Sequence, residues 1–477
     1  MSWQDIRENI VGDTLFKDGA PLLYADWTAS GRLYAPIEDF MRDKVGPWVA
    51  NTHTESSDTG RAMTGLYQDA RQVIKQHVNA SDTDVLVLTG AGMTGAVNKL
   101  QRMMGIAGSE AAVEGPLPLV LITHMEHHSN QTTWLTRQVD VEIIQPDAQG
   151  LPCLTHLATL LNENRHRPRI IASVTACSNV TGIETPYHQI AQMVHAAGGF
   201  VCVDFAASAP YVAIDMHPET VGAHLDAVMF SPHKFLGGPG SSGVLVFNPA
   251  LYRIDQPDQP GGGTVRWTNP WGEHQFYDDI EMREDGGTPG FLQAIRAALA
   301  IQVKEGWGVD AIHQREQWLG GRMFDGLIAL SGLQLLAPQH RRRLPIFSFY
   351  IPGLHHELVV QLLNDKFGIQ CRGGCSCAGT YGHILLGVSP EDSHAITDEI
   401  NSGDLSRKPG WVRVSLHPTM TEVDVDYLLS AIEAVIASGD TWQSDYVFDS
   451  KIGSWHRRQA DTWQRPSLAD FQSLESP

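Results

Sequence analysis

Short, wholly apolar runs recur through the first 250 residues, each separated from the next by a longer amphipathic or turn-rich stretch. That alternation constrains the fold more than any other feature of the chain. Residues 85–89, 119–123, 141–144, 170–175, 200–203, 227–230 and 243–247 read as strands. Residues 66–78, a stretch from the 90–94 loop through about 104, 130–138, 154–164 and 187–197 read as helices between them. In the first of these helices Leu66, Ala70, Val73, Ile74 and His77 fall near one face. A strand that is apolar throughout must be covered on both faces, which is the situation of a mostly parallel sheet between helical layers. The pattern changes after about residue 250. A Pro/Gly-rich stretch at 256–263 and a charged, Gly-rich loop at 281–289 lead into a helical region at 290–329. A strand at 346–350, a helix at 355–367, a strand at 411–416 and a helix at 423–437 then describe a smaller α+β unit. The tail, 441–477, is rich in Trp, Asp, Ser and Arg with weak periodicity, as expected of a wrapping or partly disordered extension.

A length of 477 residues suits two or three domains. The net charge of -20 argues against a nucleic-acid partner, because a phosphate backbone requires a positive footprint. Short basic runs at 165–167 and 341–343 read as solvated loop charge. Six cysteines are too sparse for a disulfide scaffold. No basic segment followed by an apolar one opens the chain, and no apolar run nears the ~18 residues of a membrane helix. The expectation is a soluble cytoplasmic protein with neither nucleic-acid nor membrane partners.

Lys234 is one of only nine lysines. It follows the apolar run 227–230 and begins the loop Lys234-Phe235-Leu236-Gly237-Gly238. In an open α/β sheet, ligands sit at the carboxyl ends of the strands. A lysine sheltered there has a lowered pKa and is suited to forming a Schiff base, although a lone lysine also caps turns. Asp204 ends the run 200–203. An Asp and a Lys on successive strand ends suit pyridoxal phosphate: the carboxylate pairs with the protonated ring nitrogen and the lysine carries the aldehyde. Thr89-Gly90-Ala91-Gly92-Met93-Thr94 joins a strand to a helix and offers backbone N–H groups to a phosphate. His124, His127 and His128 follow another strand. Their spacing is not the His-Glu-x-x-His of a zinc protease, and their position suits stacking on a flat cofactor or proton transfer.

Taken together, these segments resemble the class V aminotransferase superfamily of fold-type-I pyridoxal phosphate enzymes, and most of all its cysteine desulfurase and selenocysteine lyase branch. The resemblance spans about residues 20–437. It implies a large, mostly parallel seven-stranded α/β domain over 31–290, a small α+β domain over 291–440, an N-terminal segment over 1–30 that packs with the small domain, and an extension over 441–477. It also implies roles. Lys234 would be the Schiff-base lysine, Asp204 the ring-nitrogen partner and His127 the stacking histidine. Asn179 would contact the phenolic oxygen and the substrate. Gly92, Met93, Thr94, Ser231 and His233 would surround the phosphate. Thr288 would reach the phosphate of a second subunit, which implies a homodimer with shared sites. Arg413 would fork onto the substrate carboxylate. Ala207 stands where the family often has Gln, and Met93 replaces one of two adjacent threonines.

Three of the six cysteines lie in Cys371-Arg372-Gly373-Gly374-Cys375-Ser376-Cys377. The resemblance aligns Cys377 with the desulfurase cysteine that takes sulfur as a persulfide, with Arg372 as a cationic neighbour and Cys375 as a second thiol. A zinc site is a weaker reading, because Cys-x3-Cys-x-Cys lacks the usual pairing. The function implied is removal of sulfur or selenium from L-cysteine or L-selenocysteine to give alanine, with passage to a sulfur-acceptor protein. The alternatives are an aminotransferase, epimerase or C–S lyase that uses no cysteine, and a non-catalytic pyridoxal-binding regulator or sulfur-carrier scaffold.

Overall fold

The apolar runs assemble into one central sheet in the computed structural model, which describes residues 2–17, 20–90, 92–110, 115–459, 466–468 and 470. Its strands are β1 (Val85–Thr89), β2 (Leu119–Thr123), β3 (Asp140–Ile144), β4 (Ile170–Thr175), β5 (Phe200–Asp204), β6 (Ala227–Phe230) and β7 (Gly243–Phe247). Their spatial order is β1-β7-β6-β5-β4-β2-β3. Strands β2 to β6 run parallel, and β7 lies antiparallel between β6 and β1. Alternate residues serve two separate cores. Leu119, Leu121, Val201, Val203, Val244 and Val246 pack on one face. Val120, Ile122, Cys202, Leu245 and Phe247 pack on the other. Burial on both faces is why these strands read as continuous apolar runs.

The helices near the sheet are α1 (Asp58–His77), α2 (Gly92–Met103), α3 (His128–Leu135), α4 (Leu154–Glu163) and α5 (Tyr187–Ala196). Helix α1 begins well before residue 66, because the Ser57 hydroxyl caps it by accepting the Gly60 N–H. Helix α3 spans 128–135 rather than 130–138, with His127 as its N-cap. The helical region expected over 290–329 is two helices, α6 (Phe291–Trp307) and α7 (Val309–Ala329). They break at Gly308, whose φ of 83° is open to glycine and disfavoured for other residues. Helix α6 packs along α1 through Ala294, Ile295 and Ala298 against Met63, Tyr67 and Ala70.

A second, antiparallel sheet holds β8 (Gln334–Leu335), β9 (Ile346–Tyr350), β10 (Arg372–Gly374) and β11 (Trp411–Ser415), in the order β8-β9-β11-β10. Strand β10 was not evident as a strand in the sequence. Its pairing sets Arg372 opposite Arg413 and carries the cysteine-rich segment to the second sheet. The N-terminal segment joins here as well. Leu23–Tyr24 pairs with Ile369–Gln370, and Asp26 bridges to Ser415. Around this sheet lie α8 (His356–Phe367), α9 (Gly379–Leu386), α10 (Pro390–Asn401) and α11 (Glu422–Trp442). Helix α11 runs past 437 to Trp442, opened by a Thr421–Asp424 capping box. The hairpin Tyr446–Asp449/Ser454–Arg457 follows, and its Phe448 and Trp455 rings meet His355 at the start of α8. Most of the tail beyond 459 lies outside the described residues. Among the described residues no helix is long and apolar enough to cross a membrane.

Candidate active site

The carboxyl ends of β4, β5 and β6 open onto a cavity of about 220 Å³, which the second sheet closes from the other side. Thr175 and Asp204 come from strand ends, and Ser231, His233 and Lys234 from the turn after β6. Met93, Thr94, His127 and Ser129 come from the first turns of α2 and α3 or their caps. Asn179, Arg372, Cys377 and Arg413 complete the wall. Of the residues named from the sequence, Lys234, Asp204, His127, Asn179, Met93, Thr94, Ser231, His233, Cys377 and Arg413 share this cavity. Gly92 adjoins it. Thr288 lines a different cleft, of about 450 Å³, beside Gly90 and Ser242. Cys375 packs with a separate apolar cluster around Trp411.

Lys234 ends a turn that Pro232 starts at the first helical position. A Cβ on Gly238 would lie 1.8 Å from Pro232 O, so glycine is required for this turn to close. Burial pushes the Lys234 amine down to about 8; Arg413 and Arg372 act in the same direction and Asp204 opposes them. Asp204 is buried at the end of β5, and burial pushes its carboxyl up to about 6. Its Oδ1 accepts the Ala206 N–H at 2.8 Å. Its second oxygen has no hydrogen-bond partner among the described residues.

Beside this pair lies a cradle. Gly92 has φ +57°, and a Cβ there would stand 2.8 Å from Ser231 Oγ and 3.3 Å from His233 Cε1. Ser231 Oγ accepts the Met93 N–H at 2.8 Å, and the Thr94 and Ser129 hydroxyls lie 2.6 Å apart. Hydroxyls and helix N–H groups converging on one point suit an anion. His127 accepts the Ser129 N–H at Nδ1 (3.1 Å), and burial next to Lys234 lowers its pKa to about 4. Its ring is therefore neutral near pH 7.

Arg413 is buried on β11. Nη2 donates to Asp26 Oδ1 at 2.8 Å, Nη1 to the Asn179 carbonyl at 3.1 Å, and buried Nε has no partner among the described residues. Arg372 Nε donates to Asp26 Oδ2 at 3.1 Å. Two arginines directly opposite on neighbouring strands repel one another. Asp26 offsets that by bridging them, and sequence reasoning missed it. Only the register between β10 and β11 reveals the need for a shared carboxylate. Glu126 was also unassigned. Its Oε1 accepts the Thr123 N–H at 3.2 Å and the Thr175 N–H at 2.9 Å, tying the ends of β2 and β4 together below His127. Burial pushes its carboxyl up to about 7.

Ser376 and Cys377 take φ of +50° and +56° in succession. Each left-handed non-glycine residue costs on the order of 1–3 kcal/mol, so the surroundings must hold them. Asn179 Nδ2 donates to Ser376 O at 2.7 Å, Trp411 Nε1 donates to Ser376 Oγ at 3.2 Å, and the His128 N–H donates to Cys377 O at 2.7 Å. Cys377 is the exposed one of the six cysteines. Cys177 and Cys202 are buried, and burial raises their thiol pKa values, as it does that of half-buried Cys371. Cys371, Cys375 and Cys377 do not gather into a metal-ligand cluster.

The site thus offers an anion cradle, a partially deprotonated amine, a carboxylate with a free oxygen and a neutral imidazole around one cavity. It also holds a buried guanidinium with an unused N–H. Those features fit a phosphorylated pyridine aldehyde and an amino-acid carboxylate. The family model described as Aminotransferase class-V matches residues 23–428. A probable cysteine desulfurase of Staphylococcus aureus (strain COL) is 27% identical over 366 residues, covering 76% of this chain and 84% of the relative. One from Staphylococcus epidermidis (strain ATCC 12228 / FDA PCI 1200) is 28% identical over 417 residues, covering 86% and 91%. In fold, the chain is similar to the apo structure of a cysteine desulfurase from Thermococcus onnurineus NA1 (TM-score 0.74, 22% identity, 91% of this chain and 98% of that one). It is also similar to cysteine desulfurase CsdA (S-sulfonic acid) from Escherichia coli (TM-score 0.71, 23% identity, 92% and 99%).

Proposed function

The chain belongs to the aminotransferase class-V family, which makes it a pyridoxal phosphate-dependent enzyme, and from that premise we propose that it removes sulfur from L-cysteine, or selenium from L-selenocysteine, to leave L-alanine. The observation that carries this reading is Cys377. It is the exposed thiol of the chain, and it stands on the same cavity as Lys234, Asp204 and Arg413.

Lys234 would hold the cofactor's aldehyde carbon, Asp204 its ring nitrogen, and Gly92, Met93, Thr94, Ser231 and His233 its phosphate. His127, kept neutral, would lie against the ring. When bound, the cofactor supplies an electron sink beside the substrate's α-carbon. Arg413 orients the substrate through its carboxylate, with Nε as the open donor. Once the substrate's amino group has replaced it at the aldehyde carbon, the freed Lys234 Nζ would take the α-proton, a task for which an amine near pKa 8 is suited. The Cys377 thiolate attacks the substrate sulfur: an S–S bond forms as the Cβ–S bond breaks. Cys377 is left as a persulfide, and alanine is completed by the proton Lys234 took from the α-carbon together with the one released by the substrate thiol. Asn179 steadies Cys377 through the Ser376 carbonyl. Because Cys377 is exposed, its persulfide is open to an acceptor protein in the cytoplasm. A second copy of the chain would bring its Thr288 to the phosphate of this one, so the working unit is a homodimer.

The test is to incubate the purified holoenzyme with L-cysteine, assay alanine and sulfide, and map a persulfide by mass spectrometry. Alanine formation with +32 Da on Cys377, both lost in Cys377→Ala, is the expected result. A Cys377→Ala enzyme that retains full turnover would establish instead an enzyme of this fold that uses no cysteine.

A further inference from the structure

At the end of the central sheet opposite Lys234, three side chains converge that the proposed reaction does not use. His195 lies in the last turn of α5, and His224 and Asp226 immediately precede β6. One ligand atom from each falls within 4.8 Å of the others. Asp226 is buried, His195 is largely so, and His224 is 41% exposed, so the cluster is anchored below and open above.

The hydrogen bonding of His195 is informative. Its Nδ1 is 2.7 Å from the Gly222 carbonyl and its Nε2 is 2.8 Å from Asp226 Oδ2. In this ring orientation both partners, a backbone carbonyl and a carboxylate, are acceptors. A neutral imidazole has one N–H and cannot serve both. The 2.8 Å contact between Nε2 and the carboxylate therefore holds a proton, whose place as the shared cation a metal ion beside the pair can take. The Gly222 contact fixes the hydrogen on Nδ1 and directs the Nε2 lone pair at Asp226, the second-shell arrangement that orients metal-binding histidines. His224 stacks on His195 with ring centroids 3.9 Å apart at 8°. Its Nε2 lies 3.8 Å from Asp226 Oδ1.

We propose that His195, His224 and Asp226 form a binding site for a divalent transition-metal ion of the zinc type, separate from the pyridoxal phosphate cavity. Two imidazoles and one carboxylate are a donor set for this class, and water completes the coordination on the open side. Zinc lies about 2.0–2.2 Å from such ligands, so donor atoms around one ion stand about 3–3.5 Å apart. His195 Nε2 and Asp226 Oδ2, 2.8 Å apart across their shared proton, need only separate slightly as that proton leaves. His224 must turn its ring out of the stack to bring Nε2 in, and its exposure allows this. The proton displaced from His195 Nε2 leaves to solvent as the metal–nitrogen bond forms. The neighbouring His217 is engaged with Asp84 at 2.6 Å, and His188 with the Ala223 carbonyl at 2.7 Å, so neither is counted as a ligand.

The site bears on the fold of the active site. Asp226 Oδ2 accepts the Val201 N–H at 2.7 Å, and the Asp226 N–H donates to Val201 O at 2.9 Å. The carboxylate thus ties the beginnings of β5 and β6, the strands whose far ends lead to Asp204 and Lys234. An ion there clips α5 and both strand origins together and stabilises the native state by binding it alone.

The experiment uses holoenzyme carrying Cys375→Ser and Cys377→Ser, so that thiols in the loop cannot capture metal. After chelator dialysis it is titrated with zinc chloride by calorimetry, and thermal unfolding is followed with and without zinc. One ion per chain and a raised Tm are expected. His195→Ala and, independently, His224→Ala should each weaken binding by more than the ~10–100-fold that loss of an outer-shell partner costs. His217→Ala should not. Retention of full zinc affinity in both His195→Ala and His224→Ala would overturn the proposal, as would no saturable binding in the parent. His224 is exposed enough that its variant remains informative if His195→Ala fails to fold.

Discussion

The amine of Lys234 should titrate far below an ordinary lysine, and that has a measurable kinetic consequence. Only the unprotonated amine can attack an aldehyde. With its pKa pushed down to about 8 from an ordinary 10.5, about 9% of Lys234 is free base at pH 7, against about 0.03% of an exposed lysine, a gain of about 300-fold. Apo-protein mixed with pyridoxal phosphate should therefore capture it at a rate that rises with pH up to about 8 and then levels. The capture is followed by the cofactor's absorbance, and borohydride reduction with peptide mapping assigns it to Lys234. The sign of each neighbour's effect follows from its charge. Asp204 favours the protonated amine, so Asp204→Asn should move the half-rise to lower pH. Arg413 disfavours it, so Arg413→Gln should move the half-rise to higher pH. A rate still climbing toward pH 10 in the parent, or a half-rise unmoved by Asp204→Asn, would refute the claim that burial and these charges tune the lysine.

Gly92→Ala places a methyl 2.8 Å from Ser231 Oγ at a φ of +57°, so cofactor affinity should fall in a fluorescence titration. The backbone strain should cost about 1–2 kcal/mol of stability by urea unfolding. Arg413→Lys loses the open Nε–H and the guanidinium geometry that aims it, about 1.5–3 kcal/mol, so KM for the amino acid should rise about 10- to 150-fold while cofactor absorbance is retained. Lys99 is buried with Nζ 2.7 Å from Glu284. Lys99→Met removes the counter-charge of that carboxylate, which among the described residues keeps only the Tyr252 hydroxyl and the Asp258 N–H, and should lower unfolding free energy by about 3–5 kcal/mol, read from the denaturation midpoint.

The central sheet was legible because its strands are apolar on both faces and each is a local run. Lys234, Asp204 and His127 were nameable for a related reason. Each sits within a few residues of a strand end, and in this architecture strand ends are where ligands bind. The helix break at Gly308 was missed because the apolar pattern continues through it on both sides. The early start of α1 was missed because its first turns rest on the Ser57 cap rather than on an apolar stripe.

Local sequence thus specified the pieces: strands, turns, and the candidate reactive groups carried at their ends. The tertiary structure alone decided which distant pieces face one another. Asp26 serves Arg413, 387 residues away, because Leu23–Tyr24 pairs beside β10 and brings a carboxylate between two arginines set opposite in register. His195 meets Asp226 because α5 returns to the origin of β6. Cys377 takes a left-handed backbone because Asn179 and His128, from other elements, hold its loop. Periodicity and turn chemistry act over a few residues, whereas a counterion, a shared ligand set or a strained loop is fixed by through-space contact, which strand register settles and local sequence does not encode.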